Sequence, residues 1–178
     1  MHTAYMFLAN DRLSIAELSA ARLDGHLVEL GEGYIPADAV ETAHLRAFSL
    51  RELLGPHLAA THESAAWIHG ALGEPPPRHR AQRAVSRRLH HVIDRRLVYR
   101  DGCLAGADLC TFAGVWVTTP VRTLADLARR AHHDDDAAQA VREFCRYAPG
   151  LAAETLAWFD TQGPLRDKRP AMRLLRTM

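Results

Sequence analysis

The sequence predicts an α+β fold, and three observations carry that reading. A capped helical stretch near the start runs into a glycine-centred alternating segment. An apolar, β-branched run ends at Thr118-Thr119-Pro120 and turns into a helical stripe. Beyond it, polar and glycine breaks at 132–136, 150 and 163–164 cut the chain into helix-length pieces. With 178 residues, 48% apolar and 24% charged, the chain can bury a core and carries no disorder signature.

Ser14-Ile15-Ala16-Glu17 reads as a capping box, in which the Ser hydroxyl caps the Glu17 N–H and the Glu reaches back. The helix it starts runs to about Arg22 and stops at Asp24-Gly25. Leu27, Leu30, Tyr34 and Ile35 alternate around Gly31-Glu32-Gly33 and give a β-hairpin closed by Pro36. A small helix followed by a two-stranded hairpin is the back half of a winged-helix unit. About a dozen residues precede Ser14, leaving little room for the front half, so the unit reads as partly degenerate.

Residues 38–54 read as one or two further helices, with Ser49-Leu50-Arg51-Glu52 as a second capping box. Gly55-Pro56 closes this section, and a compact helix, ESAAWIHGAL, follows from Thr61 and stops at Gly73. Glu74-Pro75-Pro76-Pro77 is a stiff spacer or a loop entering a sheet. Residues 78–100 lack helical periodicity and read as two strands joined by a loop; 108–118 read as a hairpin about Ala113-Gly114. Helices follow from Pro120 to about Arg130, near 135–147 and 151–159, and as a short basic helix at the end. The architecture expected is a small winged-helix-like unit over 1–55, then over 56–178 a short antiparallel sheet packed by helices. Trp67, Trp116 and Trp158 sit among apolar neighbours and read as core.

The join at 114–130 reads as architecture. Thr119 can cap an N–H, and Pro120 at the first helical position gives up a donor that had no partner. Val121, Leu124, Leu127, Ala128 and Ala131 form one apolar stripe. Arg122 and Asp126, four apart, can pair and orient the helix. The alternative is that Arg122, near a helix N-terminus, receives a phosphate or carboxylate.

Charge is segregated although the net charge is only +1. Residues 1–55 hold eight acids against four arginines, whereas residues 78–100 hold eight arginines against Asp94 alone. Arg166, Lys168, Arg169, Arg173 and Arg176 make the tail basic. If they alternate along one strand, Arg78, Arg80, Arg83, Arg87, Arg88, Arg95 and Arg96 form a stripe suited to phosphates, with Arg12 and Arg22 joining from the front unit. The same arginines could instead make a solvated face, or pair with the chain's own acidic front or a second copy.

Catalytic signals are absent. The eleven histidines show no H-E-x-x-H, and no nucleophile elbow, Walker loop or dinucleotide fingerprint occurs. Cys103, Cys110 and Cys145 form no C-x-x-C pair, so neither a disulfide framework nor a structural zinc site is expected. No metal site and no cofactor is expected. The opening residues lack a signal-peptide pattern and no run is long and apolar enough to cross a membrane, so a cytoplasmic protein is the expectation.

Three stretches carry a resemblance. G-V-x-V-T-T-P-x-R-T-x-x-D-L-A at 114–128 is similar to a motif of AbiE-type antitoxins (AbiEi family), the antitoxin half of type IV toxin–antitoxin pairs. LSIAELSAARLDGHLVELGEGYIPAD and SAAWIHGALGEPP resemble the actinobacterial branch of that family, and together the stretches span roughly residues 12–130. An arginine-rich chain whose only lysine is Lys168 also suits a GC-rich bacterial genome. The resemblance implies an N-terminal winged helix that binds operator DNA and represses its own operon. It also implies a C-terminal α+β domain associated with neutralising a nucleotidyltransferase-like toxin encoded nearby. The function expected is that of a non-enzymatic, DNA-binding regulator, with a homodimer possible in principle. The alternative is a protein-interaction or dimerisation module that has lost DNA binding; a metal-dependent nuclease is a third reading.

Overall fold

The computed structural model describes residues 6–9, 12–90 and 92–178. The front unit contains helix α1 (Ile15–Leu23), strands β1 (Leu27–Leu30) and β2 (Gly33–Pro36), and helices α2 (Ala43–Ser49) and α3 (Arg51–Leu54). Glu17 N–H donates to Ser14 Oγ, and Ser14 N–H donates to Glu17 Oε2, so the capping box of α1 is formed. β1 and β2 make an antiparallel hairpin whose turn is Gly31-Glu32, and Phe7 exchanges backbone hydrogen bonds with Tyr34 along its free edge.

The second expected capping box does not form. Ser49 Oγ donates back to the Arg46 carbonyl, leaving α3 with no side-chain cap, while Thr42 caps α2 through the Leu45 N–H. Ser49 is buried within the last turn of α2, so its hydroxyl is not free to start a new helix.

A five-stranded sheet forms the middle of the molecule, built from β3 (Leu58–Ala60), β4 (His79–Arg83), β5 (Leu97–Cys103), β6 (Leu109–Phe112) and β7 (Val115–Thr118). Its order is β5-β4-β3-β7-β6. The α+β class holds, but the sheet is mixed where antiparallel pairing was expected: β3–β4 and β6–β7 are antiparallel, β3–β7 and β4–β5 parallel. The reason lies in the connections. The crossover from β4 to β5, described over 84–90 and 92–96, is long enough to bring β5 back to the same end of the sheet at which β4 began. β3 is a central strand with all three residues buried, so it lacks the alternation that marks a strand in sequence.

Five helices pack on or beside the sheet: α4 (His62–Ile68), α5 (Pro120–Arg130), α6 (Asp135–Tyr147), α7 (Leu151–Thr161) and α8 (Lys168–Leu175). Every residue of α4 is buried, because the helix is shared by two cores. Trp67 and Ile68 join a cluster with Leu30, Ile35, Leu50 and Leu54 of the front unit and Leu58, Ala81 and Val117 of the sheet. Ala66 points the other way, into Leu124, Leu127, Val141, Phe144 and Phe159 of the helical layer. α4 stops earlier than expected, at Ile68, because Gly70 takes a left-handed φ of 89° and the Tyr147 hydroxyl occupies the space beside it. Trp67 is fully buried and Trp158 half-buried, but Trp116 departs from the expected core: on β7 it faces outward at 37% exposure, while its neighbours Val115 and Val117 face in.

Candidate nucleic-acid interface

The Thr-Thr-Pro join is held by a short polar net. Thr118 and Thr123 hydroxyls lie 2.7 Å apart, the Thr123 hydroxyl also donates to the Thr118 carbonyl, and Thr119 caps α5 through the Arg122 N–H. Pro120 occupies the first helical turn. Arg122 donates to Asp126 Oδ2 at 2.9 Å and to Asp108 Oδ2 at 2.6 Å, with its guanidinium over the Trp158 ring. Burial works against this charge, but Asp126 and Asp108 outweigh it and hold the guanidinium above its ordinary value. Asp126 is itself buried and takes a second arginine, Arg129, at 3.2 Å. The motif therefore ties the β6–β7 hairpin to α5 and α7.

The arginines of 78–100 separate into two groups. Three are engaged by the protein's own carboxylates. Arg80 Nε lies 2.8 Å from Glu63, Arg83 is buried with Nε 2.6 Å from Asp101, and Arg96 reaches Glu32 at 2.6 Å and Asp94 at 2.8 Å. Hydrogen bonds from Arg96 pull the Asp94 carboxyl down to about 2. The other five are exposed: Arg78 donates to the Leu97 carbonyl, Arg87 sits against the His57 ring, Arg88 lies 3.7 Å from Asp101, and Arg95 and Arg100 have no ion pair among the described residues. A single strand does not carry the stripe. On β4 the alternation turns His79, Ala81 and Arg83 inward and leaves Arg80 and Gln82 on the other face, whereas Arg87, Arg88 and Arg95 ride on the crossover.

The crossover passes beside the front unit. Its Leu89 and Val92 pack on the shared core, and Arg96 at its end holds Glu32 at the tip of the β1–β2 hairpin. In the front unit, Arg12 is exposed and Arg22 lies 3.3 Å from Glu29 across from α1 to β1.

A second cationic feature did not stand out in the sequence. Arg80, Gln82 and Arg100 from the sheet, Arg129 and Arg130 from α5 and Arg166 from the turn before α8 face one recess of about 480 Å³. These positions are up to 86 residues apart in the chain, and α4, packed on both α5 and β4, brings them to one recess. Behind its lining, Glu63 is bridged by Arg80 and by Arg130 at 2.6 Å, and Arg130 also pairs with Asp134. His62, buried beside them with a φ of 51°, is held neutral: burial first, then the charges of Arg130, Arg80, Arg100 and Arg122, push its imidazole well below the ordinary range.

Fold and surface together define an α+β protein in which a helix–hairpin unit shares its core with a mixed sheet, and exposed arginines line the crossover between them. Residues 58–176 match the AbiEi antitoxin C-terminal domain, and the chain belongs to that family, with an antitoxin role in a toxin–antitoxin system. Among solved structures it is similar to the crystal structure of RV2827C protein from Mycobacterium tuberculosis, at 17% identity and a TM-score of 0.37, covering 92% of this chain and 70% of that one. No curated protein matches.

Proposed function

We propose that the protein is the DNA-binding antitoxin of a type IV toxin–antitoxin operon, repressing its own promoter and opposing a nucleotidyltransferase-like toxin encoded nearby. The observation that carries this reading is the junction of crossover and hairpin. The Arg96–Glu32 pair fastens the arginine-bearing crossover to the tip of the wing-like hairpin, so both would meet one stretch of duplex. In this reading Arg78, Arg87, Arg88 and Arg95 neutralise phosphates, and Arg12 and Arg22 add contacts from the front unit. Arg80, Arg83 and Arg96 serve the frame that positions them. Residues 1–55 act as the winged-helix-like reader and 56–178 as the antitoxin domain. The role is non-enzymatic and intracellular.

An electrophoretic shift with the sequence upstream of the gene tests the DNA half. A salt-sensitive, sequence-selective shift is expected; no shift at low salt contradicts it. Rescue of growth when the protein is co-expressed with the neighbouring toxin tests the other half, and arrest despite expression contradicts it.

One observation favours the interaction-module reading. Ile15, Leu23 and Val28 are 58%, 79% and 40% exposed on α1 and β1, an apolar face that suits a second copy or a protein partner. A concentration-dependent dimer that persists in Ile15→Glu argues against that face as the contact.

A further inference from the structure

The recess between the β4–β5 edge and α5 has more positive charge than its own acids absorb. Six arginines and three aspartates line it. Each aspartate is already engaged: Asp126 by Arg122 and Arg129, Asp134 by Arg130 and the Ala137 N–H, Asp167 by Arg166 and His133. The Arg100 side chain, opposite Gln82 in the β4–β5 register, makes no hydrogen bond or ion pair among the described residues. Burial lowers the readiness of Arg80 to stay charged, and Arg130 and Arg100 crowd it further, while Glu63 and, after it, Asp134 work the other way. The cations also come from three separate walls, sheet, helix and turn, so one ligand could present a different oxygen to each.

We propose that this recess binds an oligophosphate, inorganic or the phosphate chain of a nucleotide, through Arg80, Arg100, Arg129 and Arg166. A lone carboxylate satisfies one guanidinium fork, whereas several linked phosphates can engage several at once. About 480 Å³ holds such a chain and is too small to admit a duplex. No Phe, Tyr or Trp lines the space, and its two imidazoles are those of the buried His62 and of His133, the latter set against Asp167, so recognition falls on the phosphates. The site is distinct from the crossover arginines assigned to DNA, since Arg87, Arg88 and Arg95 do not line it.

Titration calorimetry at low salt with tripolyphosphate, ATP, GTP and adenosine tests this. Tripolyphosphate, ATP and GTP should bind with similar affinity and adenosine should not. Arg100→Glu and Arg166→Glu, both at exposed positions, should each weaken tripolyphosphate by about tenfold or more. Arg142→Glu, on the outer face of α6, should leave it unchanged. The proposal is overturned by any of three results: no tripolyphosphate binding (whether or not ATP binds), undiminished binding in both recess variants, or equal loss in Arg142→Glu. Displacement of tripolyphosphate by an unrelated duplex would also overturn it, assigning the recess to nucleic acid instead.

Discussion

Arg122 shows what a motif arginine does when it is enclosed. It holds two carboxylates and caps Trp158, so its removal would leave Asp108 and the buried Asp126 short of their main cation. Arg122→Ala should cost about 3 kcal/mol in denaturant unfolding, the range for breaking a buried pair. A loss below about 1 kcal/mol would place it with ordinary surface pairs. Three buried or half-buried histidines set the response to pH. His62, His69 and His79 are all held below the ordinary 6.5, in each case chiefly by burial. The unfolded chain therefore takes up these protons first. Stability from the neutral imidazoles is complete above about pH 6.5 and is lost as pH falls below it, at up to about 1.4 kcal/mol per pH unit for each group. Melting temperature should fall between pH 7 and 5. His62→Gln should flatten that fall, and an unchanged slope would show that His62 does not contribute.

Elements differ in how well their residues announced them, and the β1–β2 hairpin is the clearest. Gly31, at φ 57°, sits in its turn with Ser49 Oγ of α2 and the Trp67 ring of α4 where a Cβ would go. Gly31→Ala should cost about 3 kcal/mol by denaturant unfolding, combining strain and clash. Gly25→Ala, with positive φ but open space, should cost about 1 kcal/mol. Equal losses would mean that the turn is not seated on α2 and α4. The glycine alternation and the Ser14 box were legible because both are local patterns, satisfied within a few residues. Ser49 carried the same letters, but its hydroxyl had a nearer acceptor in the Arg46 carbonyl. β3 left no pattern because a three-residue strand buried on both faces has no polar side to alternate with. Parallel or antiparallel pairing was not legible either, since it depends on where a long crossover re-enters the sheet.

At the scale of the whole molecule, charge was the signal read from sequence, and the fold both uses and divides it. The excess of arginine over 78–100 is real, but Arg80, Arg83 and Arg96 meet acids at positions 63, 101, 94 and 32. Composition counts charges without knowing which acids will fold against them. Arg129 and Arg130 read as the end of an amphipathic helix, and only tertiary packing turns them toward Arg100. What the crossover leaves exposed is a smaller, better placed set, fastened to the hairpin tip through Glu32. The most direct test is the salt dependence of binding to a labelled upstream DNA fragment, measured by fluorescence anisotropy between about 50 and 200 mM salt. Combining Arg87→Ala, Arg88→Ala and Arg95→Ala should weaken binding and reduce the log–log slope by about 2 to 3, one phosphate contact per arginine. A slope identical to that of the unaltered protein, or binding that ignores salt, would contradict a DNA interface built on the crossover.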